Sequence, residues 1–132
     1  MKITKYGHSC LFVEEGQAKI LIDPGIFCLK DANLKQEDLP ECNVLLITHS
    51  HADHFDLDAL EIILQKSKPV ILTTAEVQKI LAEHSIGSEV LQPGEERLEY
   101  GVVIYGIGGA HETIAEHIAL PAHLGFLIAK RL

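Results

Sequence analysis

Alternating and continuous apolar runs organise the N-terminal part of the chain. Ile3–Tyr6, Ser9–Glu14 and Ala18–Asp23 read as strands, the last two joined by Glu15-Gly16-Gln17, a short Gly-containing turn of hairpin type. Pro24-Gly25 ends the third strand. Residues 26–43 mix polar and apolar positions, with Pro40 near their end, and read as a long loop with one helical turn around Gln36. Val44-Leu45-Leu46-Ile47 is wholly apolar and partly β-branched, the mark of a strand covered on both faces.

Helical spacing follows. Asp56 stands where an N-cap is expected, and Leu57, Leu60, Ile63 and Leu64 lie on one face of a helix reaching about Lys66. Pro69–Leu72 is a second short buried strand. Thr73 and Glu76 have the spacing of a capping box for a helix to about Glu83, with Val77, Ile80 and Leu81 on its inner face and His84 at its C-terminal, dipole-favoured end. Strands return at Glu89–Leu91, Arg97–Tyr100 and Val102–Ile107. A glycine-rich loop is expected from Gly106 to Pro121, before a last strand at Leu124–Ala129. Hairpins first, then strand–helix–strand, predict a layered α/β (α+β) domain with a mixed β-sheet and two or three helices.

Composition narrows the function classes. The 132 residues suit one domain, 1–132, and 47% apolar with 23% charged residues excludes a disordered chain. A formal charge of −8, with no basic cluster beyond Lys130-Arg131, argues against a nucleic-acid backbone binder. No apolar run approaches the ~20 residues needed to span a bilayer, and the N-terminus shows no secretory h-region. Cys10, Cys28 and Cys42 form no CxxC pair and read as free thiols of a reducing cytoplasm. Eight histidines in so acidic a chain direct attention to metals.

His49-Ser50-His51-Ala52-Asp53-His54 follows the Val44–Ile47 strand directly. Alternate residues of an extended segment point the same way, so His49 and His51 are placed to share one ion, and a turn after His51 aims Asp53 and His54 at a neighbouring position. Imidazoles with a carboxylate suit Zn²⁺, and also Mn²⁺ or Fe²⁺. Gly108-Gly109 does not make a phosphate-binding fingerprint, because no helix pattern with further glycines follows.

Thr48–His54, together with Gly7-His8-Ser9 and Ile20-Leu21-Ile22-Asp23-Pro24-Gly25, resembles the metallo-β-lactamase fold superfamily. Within it, the chain is similar to the small bacterial and archaeal metal-dependent hydrolases that include the ascorbate-6-phosphate lactonases. The resemblance extends from Met1 to Gly125-Phe126-Leu127-Ile128. It implies an αββα sandwich of two similar halves, of which this chain holds mainly the N-terminal one. It implies His49 and His51 as ligands of a first metal, Asp53 and His54 as ligands of a second, and a third first-metal histidine after a late strand. Ile107-Gly108-Gly109-Ala110-His111 fits that place, so His111 is the candidate, with His117 and His123 as competitors in the same loop.

Asp23 stands where the family has a carboxylate that braces the metal loop by hydrogen bonding; a simple strand-terminating turn residue is the other reading. His8 either faces the cleft or serves a structural role inside its Gly-His-Ser turn. The family's bridging aspartate, in a Gly-Asp motif, and its last histidine have no counterpart here. One firmly held ion is therefore expected, with a second position weak or empty, an uncovered sheet face and self-association. The implied function is hydrolysis of an ester, lactone, amide or phosphodiester bond of a small-molecule substrate by metal-activated water, with Asp53 as the catalytic residue that orients or deprotonates it. The alternatives are a truncated, non-catalytic metal-binding or interaction module, and a structural zinc site closed by four ligands.

Overall fold

The computed structural model describes residues 1–30, 35–109 and 123–130. Six strands, β1 (Lys2–Lys5), β2 (Leu11–Glu15), β3 (Ala18–Ile22), β4 (Val44–Leu46), β5 (Val70–Thr73) and β6 (Glu89–Val90), form a mixed sheet in chain order. β1 to β3 are antiparallel; β3 to β6 are parallel. Parallel neighbours need long crossovers, and α2 (Leu57–Lys66) and α3 (Ala75–Glu83) supply those on either side of β5. A short α1 (Phe27–Lys30) follows β3, and β7 (Glu96–Glu99), β8 (Val102–Gly109) and β9 (His123–Lys130) make a second, antiparallel sheet.

The period-2 alternation of the strands sorts their side chains into two cores. Phe12, Leu21, Leu45 and Ile71 face the helices and pack with Leu60, Ile63, Val77 and Leu81. Their chain neighbours Val13, Ile20, Val44, Leu46 and Leu72 face the second sheet and pack with Val102, Ile104 and Leu124. β4 is buried along its whole length because both faces are covered, as its unbroken apolar run predicts. The layers are helix, sheet, sheet. On the outer face of the second sheet, Leu98, Ile107 and Leu127 remain about half exposed. Among the described residues no helix is long and apolar enough to cross a membrane.

Three local expectations are corrected. Thr74, not Thr73, caps α3: its hydroxyl accepts from the Val77 N–H at 3.2 Å, whereas Thr73 closes β5 and donates its own hydroxyl to the Ile47 carbonyl. With Thr74 as the cap, the third helical position is Val77, so no capping box forms, and the Glu76 carboxylate accepts from Ser50 Oγ. Gly106–Gly109 belongs to β8 and not to a loop. A Cβ on Gly106 would stand 2.5 Å from the Gln92 carbonyl oxygen, so glycine there serves close backbone packing. Finally, the expected loop after Pro24 contains α1 as well as the foreseen turn at Gln36–Asp38, and a helix of four residues is too short to leave a periodic signal.

Candidate metal centre

Open parallel sheets place ligands beyond the carboxyl ends of their strands. β3 and β4 run side by side, Ile22 opposite Leu46, so the residues that follow each strand emerge together. Asp23 N–H donates to the Leu46 carbonyl at 3.0 Å, and Asp23 adopts a left-handed backbone (φ 49°), an angle Asp tolerates better than most residues. Two residues on, Gly25 lies directly against the histidine-rich loop. A Cβ there would stand 2.1 Å from the Asp53 carbonyl oxygen, and the Ile26 N–H donates to the Ala52 carbonyl at 2.9 Å. Both His54 and Phe55 donate their backbone N–H to the His51 carbonyl, which closes the loop into a turn.

Asp23 is the hub of the centre. It is 3% exposed, and its carboxylate accepts from the Thr48 backbone N–H (2.8 Å), the Thr48 hydroxyl (2.7 Å) and His54 Nδ1 (2.7 Å). The Thr48 hydroxyl, having donated its one hydrogen to Asp23, accepts from His49 Nδ1 at 2.8 Å. One buried acid thus sets two imidazoles, His54 directly and His49 through Thr48, with Nδ1 protonated and the lone pair on Nε2. That is the arrangement by which outer carboxylates orient metal-ligating histidines. The His49 ring lies 4.8 Å from that of His51 and 4.2 Å from that of His54, centre to centre.

His8, on the β1–β2 turn, reaches across to the same place. Its Nε2 donates to Asp53 Oδ2 at 2.9 Å, while His54 Nε2 stands 3.4 Å from that oxygen. The hydrogen bond to Asp23 lifts the His54 pKa above its ordinary value; burial opposes this, and the charges of Asp23 and Asp53 assist. For Asp53, burial pushes the carboxyl up, but the His8 hydrogen bond and the His54 charge together hold it below the usual carboxylate range. All three thiols are buried. Cys10 and Cys28 are buried against each other (Sγ to Sγ 3.0 Å), and burial pushes Cys42 up to about 11.

The structure therefore gathers His49, His51, Asp53 and His54, with Asp23 beneath them and His8 beside them. Asp23 does more than terminate a strand, and His8 faces the site. His111 and His117 lie outside the described residues, as does the side chain of His123. The two described ends that flank residues 110–122 sit at the centre all the same: Gly109 pairs with His123, and the next residue, Leu124, donates its N–H to the Thr48 carbonyl at 2.9 Å. Sequence reasoning passed over Thr48 and Ser9 as functional positions. Ser9 Oγ lies 3.3 Å from His54 Nε2. The available signal for Thr48 was a hydroxyl residue immediately before a candidate ligand histidine, with Asp23 read as a brace for the same loop.

The donor chemistry fits a divalent cation: imidazoles and carboxylates, oriented from behind by a buried acid. A mixed α/β/β domain that carries such a cluster at the carboxyl ends of its strands is the metallo-β-lactamase fold. Residues 2–124 match the family described as the beta-lactamase superfamily domain, and the chain belongs to that family.

Among curated relatives, the chain is 28% identical over 134 residues to Protein Rv0786c of Mycobacterium tuberculosis, covering 97% of this chain and 57% of that protein. It is 30% identical over 129 residues to a UPF0173 metal-dependent hydrolase of Staphylococcus carnosus, covering 95% and 54%. Among solved structures, Igni18, a metallo hydrolase of the archaeon Ignicoccus hospitalis, superposes with a TM-score of 0.75 at 25% identity, over 97% of this chain and 55% of that one. The chain spans about half the length of the curated relatives it matches.

Proposed function

We propose that this chain carries the metal-binding half of a hydrolase centre that cleaves an ester, lactone, amide or phosphodiester bond in a small-molecule substrate. The observation that carries the reading is the Asp23 hub, which holds the rings of His54 and, through Thr48, His49 by their Nδ1 atoms. His49 and His51, with His111 as their expected third partner, are the residues to hold a first cation. Asp53 and His54 are the residues to hold a second. The donor set suits Zn²⁺, with Mn²⁺ and Fe²⁺ compatible. A divalent cation bound there would lower the pKa of its water toward 7 and would stabilise developing oxyanion charge.

The chain's own residues do the rest. Asp53, anionic and part-exposed, is the group placed to orient the nucleophile and accept its proton. Asp23 and Thr48 keep the ligand rings from rotating, so no reorganisation accompanies the reaction. The match to the superfamily over residues 2–124 and the hydrolase relatives favour this reading over a non-catalytic module. A cytoplasmic location and self-association through the half-exposed Leu98, Ile107 and Leu127 belong to the same proposal. A single monomeric boundary in sedimentation removes the self-association.

Activated esters, lactones and bis-phosphodiesters assayed with added Zn²⁺ or Mn²⁺ test the hydrolase reading. Turnover that depends on the cation and disappears in His49→Ala is the expected result. Turnover that survives chelation, or is unaffected by His49→Ala, contradicts it.

A further inference from the structure

We infer that His8 is a cation ligand, completing with Asp53 and His54 a three-donor site built wholly from residues 8–54. The inference rests on the reading of Asp53 and His54 as ligands of a second cation and replaces the expectation that this position has two ligands only. His8 Nε2, Asp53 Oδ2 and His54 Nε2 all lie within 4.8 Å of one another, with 2.9 Å between His8 and Asp53 and 3.4 Å between His54 and Asp53. Donors at ~2.1 Å from one tetrahedral ion stand about 3.4 Å apart. The His8–Asp53 and His54–Asp53 pairs stand near that spacing, and His8 and His54 flank the same carboxylate oxygen.

Two further observations point the same way. First, His54 Nδ1 is bonded to Asp23, which turns Nε2 of the same ring toward the Asp53 carboxylate oxygen at 3.4 Å, with Ser9 Oγ 3.3 Å from that nitrogen. Second, His8 holds a left-handed backbone (φ 58°) between Gly7 and Ser9. Glycine meets that angle with no side-chain cost, so the turn alone does not call for an imidazole. The ring nonetheless points toward Asp53 and lies beside Phe27 of α1 at 5.3 Å between centres. Histidine in a strained turn, aimed at a carboxylate and a second histidine, matches the pattern of backbone strain retained at ligand sites.

The test is a count of Zn²⁺ and Mn²⁺ bound to the metal-free chain by calorimetric titration, for the wild type, His8→Gly and His8→Asn. Both replacements suit the backbone angle, so the fold survives. The expected result is two cations on the wild type and, in both variants, at least about tenfold weaker binding of one of them, the scale set by disturbed metal sites. The other cation stays at wild-type affinity, and the metal-free variants melt no lower than the wild type.

Two cations held with wild-type affinity by both variants overturns the inference, as does a wild type that holds only one. Lower melting with unchanged cation binding also overturns it and leaves His8 a structural role. Failure of the hydrolase reading shows differently, as absent turnover beside intact, His8-dependent binding of two cations.

Discussion

The inner and outer sides of the candidate centre are built on different principles. On the inner side Asp23 and His49 are each 3% exposed, and every polar atom of Asp23 and Thr48 that faces the loop is paired. On the outer side the His8 and Asp53 side chains are 42% and 35% exposed and meet each other through a hydrogen bond open to solvent. A buried, satisfied network is rigid and costly to break, because each orphaned partner keeps its desolvation penalty. An exposed pair contributes little to stability and adapts to what it binds. The contrast separates residues that orient donors from residues that meet the ligand, and substitutions can test it.

The largest effect is expected at the hub. Asp23→Ala strands the Thr48 N–H, the Thr48 hydroxyl and His54 Nδ1 and should lower unfolding stability by about 3–5 kcal/mol, the scale for breaking a buried pair. Cation affinity should fall about 10–100-fold in the same variant. Chemical denaturation and cation titration read the two losses, and a variant with native stability and affinity removes Asp23 from its role.

Thr48→Val should act more narrowly. It removes the relay to His49 while His54 keeps its own bond to Asp23, so stability should drop by about 1–2 kcal/mol and only the cation held by His49 and His51 should weaken. Equal weakening of both cations would show that the two rings are not independently oriented. At the rim, Ser50→Ala removes a solvent-exposed hydrogen bond to Glu76 and should change stability by less than about 0.5 kcal/mol. A change above 1 kcal/mol would place Ser50 with the inner network.

Much of this was legible in the chain because burial leaves compositional marks. β4 reads as an unbroken apolar run since both faces are covered, and α2 as a helix since Asp56 caps it with a 3.1 Å bond to the Ala59 N–H and one stripe is buried. The candidate histidine loop was legible because alternate histidines after such a strand have few structural uses. Other features depend on tertiary facts that no local pattern carries. Two adjacent threonines precede α3, and only the pairing of Thr73 with Val90 in the sheet leaves the cap to Thr74. The glycines of β8 look like a loop until Gln92 and Pro93 are packed against them. The role of Thr48 needs β3 and β4 to be parallel neighbours, which sets Asp23 beside it.

The imidazole nitrogens themselves report most directly on whether the inner network presents these rings to a cation. Ring ¹⁵N shifts of His49, His51 and His54, followed by NMR as Zn²⁺ is added to the metal-free chain, distinguish the protonated, free and coordinated states of each nitrogen. The account predicts that Nε2 of His49 and of His54 becomes coordinated while Nδ1 of both keeps its hydrogen, held by Thr48 and Asp23. Coordination through Nδ1 of either ring, or spectra that do not move at one equivalent and beyond, would contradict it.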